Sequence, residues 1–111
     1  LQGRSAQLYN DFVSLVRQDF AVSSDVASYA EKLNVGSAYL GQVCRRIAGK
    51  SPKSIIDDFI VKDIERQLSK TGKTILEIAQ DLGFSSQAHL SRFFKNIVGK
   101  SPSEYRTWKT E

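Results

Sequence analysis

The sequence predicts an all-α fold of about seven helices. Apolar residues recur at three- and four-residue spacing in successive segments of the 111-residue chain, and this is the period of an α-helix. No stretch shows the sustained alternation of apolar and polar residues that marks a half-buried strand. Part of the sequence also occurs twice, so one order of helix, turn and helix is expected twice.

The internal repeat aligns residues 40–52 with residues 90–102 at a constant offset of 50. Both copies end in Gly-Lys-Ser-Pro, and upstream the offset becomes 49, which places one inserted or deleted residue in the turn. Two copies are too few for a solenoid, so we expect two related helical units. The identical pairs are Leu40/Leu90, Ile47/Ile97, Gly49/Gly99, Lys50/Lys100, Ser51/Ser101 and Pro52/Pro102.

Three helices are predicted before the end of the first copy. Residues 5–20 carry one apolar stripe and should form a supporting helix. A second helix follows the N-cap candidate Asp25 and breaks at residues 34–36, Asn-Val-Gly. A third is expected over residues 37–48, ended by Gly49 in the left-handed conformation. Its buried positions should be Leu40, Val43, Cys44 and Ile47.

A long fourth helix is predicted over residues 52–70. Ser51 is its N-cap candidate, and Pro52 suits the first helical position. At about 1.5 Å per residue the helix is about 28 Å long, which is comparable to one turn of DNA, roughly 34 Å. Asp57 and Asp58 lie near its start, where negative charge suits the helix dipole, so we do not interpret them as a catalytic pair.

The second copy predicts helices five to seven. Thr74 and Glu77 form a capping box before the fifth helix, which ends in the turn at residues 83–85. The sixth should run from about residue 86 to 98 and bury Leu90, Phe93, Phe94 and Ile97. Ser101 and Glu104 form a second capping box, which opens a short last helix. Two aromatic residues of this helix, Tyr105 and Trp108, should pack inward.

These elements predict two helix-turn-helix subdomains, residues 1–50 and 71–111, joined by a linker helix over residues 51–70. In such a unit the second helix can lie along a DNA major groove while the first crosses it. The third and sixth helices are therefore the predicted recognition helices.

Positive charge is concentrated in the two segments that contain these helices. The chain has a formal net charge of +4, which alone is a weak indication of an anionic partner. Residues 36–56 and 82–103, however, contain Lys and Arg but no acid, and acids outnumber bases in the rest of the chain. Such a pattern is typical of two separate surfaces that contact nucleic acid.

The outward faces of the predicted recognition helices carry residues suited to DNA. On the third helix the residues expected to point outward are Ala38, Gln42 and Arg45, flanked by Gly41 and Arg46. On the sixth helix they are Ala88, Arg92 and Lys95, flanked by Ser91 and Asn96. Arginine can bond guanine through two acceptors, glutamine can bond adenine, and small residues allow close approach. Four cations near the helix C-terminal ends are placed for phosphates, namely Arg45, Lys95, Lys50 and Lys100.

The second copy closely resembles the signature of the AraC/XylS family of bacterial transcription regulators. The residues that carry the resemblance are Ile78-Ala79, Gly83-Phe84-Ser85-Ser86-Gln87, Leu90-Ser91-Arg92, Phe94-Lys95, Gly99, Ser101-Pro102 and Tyr105-Arg106. The resemblance extends over most of the chain and implies seven helices in two helix-turn-helix subdomains joined by a linker helix. It implies sequence-specific binding of double-stranded DNA, with two recognition helices in successive major grooves.

The family's base-contacting positions correspond to Ala38, Gly41 and Gln42 in the first unit. Large polar side chains are common there in the family, so Ala38 and Gly41 depart from its pattern. We therefore expect the first helix to depend on backbone proximity and DNA shape as well. In the second unit they correspond to Gln87, Ala88, His89, Ser91 and Arg92. These positions and the outward faces of the two helices together give the predicted DNA-binding residues. They are Ser37, Ala38, Gly41, Gln42, Arg45, Arg46, Ser86, Gln87, Ala88, His89, Ser91, Arg92 and Lys95.

Other functions fit the sequence less well than DNA binding does. The sequence has no glycine-rich phosphate loop, and one cysteine with one histidine cannot supply an ordinary four-ligand zinc site, so we expect no enzyme, metal or cofactor. Cys44 aligns with Phe94 on the buried side, which favours packing over redox sensing. His89 is either a DNA contact or a surface residue without a role. A helical protein-interaction module that has lost DNA binding is the alternative function.

The sequence also indicates where the protein acts and with what. It contains no apolar run long enough to cross a bilayer and no signal peptide, so we expect a cytoplasmic protein without a membrane partner. Regulators of this family usually carry a further ligand-sensing or dimerising domain, so we expect this chain to be a fragment that lacks one. RNA polymerase is a further expected partner by resemblance.

Overall fold

The computed structural model describes residues 3–22 and 25–110. Over these residues the chain forms seven α-helices and no strand, which confirms the predicted all-α fold. The helices are α1 (Gly3–Gln18), α2 (Val26–Lys32), α3 (Ser37–Ala48), α4 (Pro52–Lys70), α5 (Ile75–Leu82), α6 (Gln87–Val98) and α7 (Pro102–Thr110).

The helices belong to two compact units. Among the described residues, the first unit comprises 3–20 and 25–59, and the second comprises 21–22 and 60–110. Helix α4 therefore supplies its N-terminal part to the first unit and its C-terminal part to the second. Each unit contains a short helix, a turn and a 12-residue helix, namely α2 with α3 and α5 with α6.

The core of the first unit forms where α3 packs against α1 and α2. Phe12 and Val16 of α1 are fully buried, as are Leu40 and Cys44 of α3. The ring of Phe12 meets the ring of Tyr29 edge-on, with 5.6 Å between the centroids, which is a favoured geometry for aromatic pairs. Burial raises the pKa of the Cys44 thiol, so the sulfur serves as a small apolar group.

The core of the second unit forms where α6 packs against α5 and α7. Leu90 and Phe94 are fully buried, and the Phe94 ring meets Tyr105 edge-on at 5.5 Å. Arg106 ties α7 to the end of α4, because its guanidinium donates to the carbonyl of Leu68 at 3.0 Å and to that of Lys73 at 2.6 Å. The first of these bonds satisfies a carbonyl of the last turn of α4, which the helix end leaves without a backbone partner.

The predicted helix ends are confirmed by their hydrogen bonds and dihedral angles. Asp25 caps α2, and Thr74 and Glu77 form the predicted capping box of α5. In the second capping box the Glu104 carboxylate accepts from the Ser101 N–H at 2.7 Å, and bonds from Ser101 lower the pKa of Glu104. The recognition helices α3 and α6 end at glycines with φ of 71° and 89°, Gly49 and Gly99.

The predicted bounds of the first helix were wrong at both ends. It begins at Gly3 and ends at Gln18, rather than running from residue 5 to 20. The backbone leaves the helix at Asp19, whose carbonyl oxygen accepts a 2.6 Å hydrogen bond from the Tyr29 hydroxyl. This side chain supplies a partner that a continuing helix would otherwise have supplied. Phe20 then packs beside Phe59, with 6.2 Å between the ring centroids.

Three residues that the apolar pattern placed inside are exposed. Ile47 and Ile97 are 44% and 46% exposed, and Trp108 is 54% exposed. Both isoleucines lie in the last turn of 12-residue helices, while the preceding helices α2 and α5 have only 7 and 8 residues. Helical periodicity predicts the face on which a side chain lies, but it does not predict how far along that face the neighbouring helix extends.

The left-handed helix ends give a direct test of the fold. Gly99→Ala should lower the free energy of unfolding by roughly 1–2 kcal/mol, because a Cβ atom disfavours this backbone conformation. No atom within 4 Å would clash with that Cβ, so the loss reports the backbone alone. Urea denaturation followed by circular dichroism measures it.

Gly72→Ala is the matched control. Gly72 lies between α4 and α5, outside the left-handed region and with open space around it. Its substitution should leave the unfolding free energy unchanged or slightly raised, because alanine loses less entropy on folding. Equal losses at the two glycines would contradict the role assigned to Gly99.

Candidate nucleic-acid interface

Helix α3 exposes the face that the sequence predicted. Gln42, Arg45 and Arg46 are exposed, and so are the small residues Ser37 and Ala38 near its start. The opposite face holds Leu40, Val43 and Cys44 in the core. One helix thus presents a cationic and amide-bearing side to solvent.

Gly41 differs from the rest of this face because Arg45 covers it. The glycine is buried, and a Cβ atom built there would lie 2.8 Å from the guanidinium nitrogen Nη1 of Arg45. The Arg45 side chain therefore folds back along α3 by one turn, over the space that glycine leaves open. The predicted base-contacting position Gly41 is consequently not presented to solvent in the described chain.

Arg46 lies at the edge of the α3 face. Its Nη1 is 3.4 Å from the hydroxyl oxygen of Ser5 on α1, to which it donates. This hydrogen bond is long and exposed, so the guanidinium remains available to other partners.

Helix α6 presents an equivalent face in the second unit. Gln87 and Ala88 in its first turn are exposed, and so are Arg92 and Lys95. Ser91 is half-buried. Ser86 lies just before the helix and acts as its N-cap, because its hydroxyl accepts the backbone N–H of His89 at 3.0 Å.

The ring of His89 is held by the turn that precedes α6. Its Nδ1 lies 3.1 Å from the Ser85 hydroxyl oxygen and 3.4 Å from the Ser85 nitrogen. The ring also meets Phe84 edge-on, with 5.0 Å between the centroids. When Nδ1 accepts from Ser85, the proton of the neutral ring is on Nε2, which is then a donor. The turn thereby orients one donor at the start of α6.

The exposed faces of α3 and α6 are alike in that their cations have no acidic partner within the described part of the chain. These cations are Arg45, Arg46, Arg92 and Lys95. The lysines after α3 differ, because Lys50 pairs with Asp58 and Lys53 pairs with Asp57. Asp57 and Asp58 thus neutralise neighbouring lysines, a contact that the sequence analysis did not predict.

Within residues 3–22 and 25–110, no three His, Cys, Asp or Glu side chains are grouped as a metal site requires. None of the helices described combines the length and the apolar character needed to span a membrane.

Trp108 is one of the three exposed residues that the sequence analysis placed inside. Its ring packs on Tyr105 at 5.6 Å on one side, and two lysines approach it, Lys100 at 4.9 Å and Lys109 at 5.2 Å from the ring centre. The sequence contains one signal for this exposure, because lysines stand eight positions before and one position after the tryptophan. A cation over an aromatic ring is favoured where the ring is accessible.

Comparisons with known proteins bear on the fold and the family. The family model described as "Helix-turn-helix domain" matches residues 29–107. The Msm operon regulatory protein of Streptococcus mutans is 32% identical over 97 residues, which cover 87% of this chain and 35% of that protein. The chain spans about a third of the length of the curated relatives it matches.

Solved structures share the fold over nearly the whole chain. The C-terminal domain of AraT, a response regulator from Geobacillus stearothermophilus, gives a TM-score of 0.87 at 26% identity, over 96% of this chain and 88% of that one. A transcriptional regulator from Chromobacterium violaceum, described as containing an AraC-type DNA-binding domain, gives 0.85 at 22% identity over 96% of both chains.

Two helix-turn-helix units with exposed cationic second helices define a DNA-binding protein of the double helix-turn-helix class. With the family match over residues 29–107, the chain belongs to the helix-turn-helix family of AraC/XylS type.

The contact between Gly41 and Arg45 can be measured by substitution. Gly41→Ala should raise the free energy of unfolding by up to about 1 kcal/mol, because alanine is the better helix former. The atom that must move is the far end of a flexible side chain. Urea denaturation compares the variant with the unsubstituted chain.

The same substitution in an Arg45→Ala background is the control. There the increase should be larger, because no guanidinium has to be displaced, and the difference measures the contact. A loss of stability in both backgrounds would show that Gly41 is needed for a reason other than the position of Arg45.

Proposed function

We propose that this chain binds double-stranded DNA sequence-specifically, with α3 and α6 lying in successive major grooves, as the DNA-binding part of a transcription regulator. The observation that carries the proposal is one exposed, acid-free helix face repeated at equivalent positions of both units. A solvated cationic face on one helix is common, but its repetition at matched positions favours a shared ligand.

The residue types on these faces suit base edges. Arg92 on α6 can bond the two major-groove acceptors of guanine, and Gln42 on α3 and Gln87 on α6 can bond adenine. Ala38 and Ala88 are small and exposed, so the helix backbone can approach the groove closely. Ser37, Ser86 and the remaining cations, Arg45, Arg46 and Lys95, suit phosphate oxygens.

The two units should read DNA differently. In α3 the position at Gly41 lies under Arg45, so direct readout there depends on Gln42. In α6 the side chains of Gln87, His89 and Arg92 all lie on or beside the exposed face. Base-specific contacts should therefore be concentrated in the second unit, while the first depends more on phosphate contacts and on DNA shape.

The relatives support a regulatory role. The first of them is named as an operon regulatory protein, and on that basis we propose that this chain regulates transcription in the cytoplasm without acting as an enzyme. Contact with RNA polymerase and attachment to a separate sensing domain belong to the same proposal. Both would require surfaces outside the recognition helices.

Salt dependence tests the DNA-binding proposal. Binding to a fluorescently labelled random-sequence duplex, followed by anisotropy, should weaken steeply as salt rises, with a slope of log K against log[salt] of about −0.9 for each phosphate neutralised. Circular dichroism on the same sample confirms that the protein is helical. A folded chain that does not bind at low salt would contradict the proposal and favour a protein-interaction module.

Specificity is tested separately with Arg92. On an operator selected from random sequence, Arg92→Ala should cost about 1–3 kcal/mol of binding free energy and relax the preference at one position. The loss on random DNA should be smaller. Lys62→Ala, which removes an exposed cation of α4 outside the proposed DNA-contacting faces, is the charge-matched control and should leave both affinities nearly unchanged. Equal losses for Arg92→Ala on both duplexes would show that Arg92 contacts phosphate only.

A further inference from the structure

The second unit carries a basic and aromatic surface outside its recognition helix. Trp108 on α7 is 54% exposed. The ammonium groups of Lys100 and Lys109 lie 4.9 and 5.2 Å from the centre of its ring. We call these three residues the Trp108 patch.

The first unit places the equivalent lysine in a different setting. Lys50 and Lys100 directly follow the glycines that end α3 and α6. Eight residues further on, the first copy has Asp58 and the second has Trp108. Lys50 pairs with Asp58, which raises the pKa of Lys50. Lys100 lies over an aromatic face instead, and such a face attracts an ammonium group without cancelling its charge.

Within the described residues, the lysines of the Trp108 patch are not neutralised by ion pairs. No carboxylate there pairs with Lys100 or Lys109. The Glu104 carboxylate accepts the Ser101 N–H in the capping box. Those bonds, and then the charges of Lys95 and Lys100, lower the pKa of Glu104. The Glu104 carboxylate is therefore already hydrogen-bonded to the backbone of Ser101, and it does not neutralise the two lysines that act on it, Lys95 and Lys100.

The patch begins just after the last turn of α6. Lys95 lies on the exposed face of that last turn, and Lys100 comes two residues after Val98, where α6 ends. We propose that the Trp108 patch binds DNA phosphates beside the groove that α6 enters, and that Asp58 removes the equivalent contact from the first unit. This inference rests on the proposed DNA binding.

The chemistry of the patch suits a phosphate backbone. Two ammonium groups held on one ring present donors to phosphate oxygens, and the indole N–H is a third donor. Phosphate contacts position a protein on the duplex without carrying sequence information. The patch should therefore raise affinity for all sequences equally, and it should anchor the second unit more strongly than the first.

The test measures anisotropy with a labelled random-sequence duplex across a salt series. Lys100→Ala and Lys109→Ala should each reduce the steepness of the salt slope by about 0.9, which corresponds to about eightfold weaker binding at 0.1 M salt. Lys62→Ala removes the same charge from α4 and should leave the slope unchanged. Circular dichroism and urea midpoints confirm that each variant is folded.

The internal repeat supplies matched controls. Lys50→Ala combined with Asp58→Ala removes the equivalent pair at no change in net charge, and binding should stay within twofold. Trp108→Asp installs the acid of the first copy beside Lys100 and should weaken binding as much as Lys100→Ala. Trp108→Phe retains an aromatic face and should keep most of the affinity.

The outcomes separate this inference from the proposed function. If the unsubstituted chain does not bind DNA, the proposed function fails. If it binds, but Lys100→Ala and Lys109→Ala match Lys62→Ala, only the phosphate role of the patch is overturned. Labelled polyglutamate is the second probe. If the chain binds polyglutamate, and if Lys100→Ala abolishes that binding but leaves the DNA salt slope unchanged, the patch binds an acidic protein partner and the inference is overturned.

Discussion

The burial of Leu40 and Leu90 at equivalent positions is the constraint on which both recognition helices depend. Each leucine is fully buried, and one turn further along Cys44 and Phe94 are buried as well. These anchors determine how each helix is rotated about its axis, because side chains three and four apart lie on one face. The residues opposite them are then turned to solvent whatever their chemistry, and in both units they carry cations and small or amide side chains.

Local signals along the chain explain why so much of the fold could be predicted from the sequence. The bounds of α3 and α4 were predicted to the residue, because Gly49, Ser51 and Pro52 have strong local preferences for helix ends and starts. What failed depends on contacts between helices. Asp19 leaves α1 because Tyr29, ten residues away, supplies a partner for its carbonyl, and no local pattern contains that information.

The candidate site was predicted less completely than the fold. Periodicity placed Gln42, Arg45, Arg92 and Lys95 on exposed faces, and the structure places them there. It could not show that Arg45 folds back over Gly41, since the rotamer of a long side chain is decided by the space around it. Whether these residues contact DNA remains a prediction from chemistry and from family membership.

Two copies of one unit have kept the same backbone signals and diverged at the surface. Gly-Lys-Ser-Pro follows both recognition helices, and its glycine and serine serve the helix ends in both units. The lysine has a different partner in each unit. Lys50 pairs with Asp58 in the first unit, and the ammonium group of Lys100 lies over the Trp108 ring in the second. Units of similar fold can therefore differ in the charged groups that they expose.

The central claim is that α3 and α6 both contact DNA through the faces opposite their buried leucines. Amide chemical shifts of the isotope-labelled chain, recorded while a duplex is added, test it most directly. We expect the largest shift changes in residues 37–46 and 86–95, in both units together. Changes confined to one unit, or largest outside these two helices, would contradict the account.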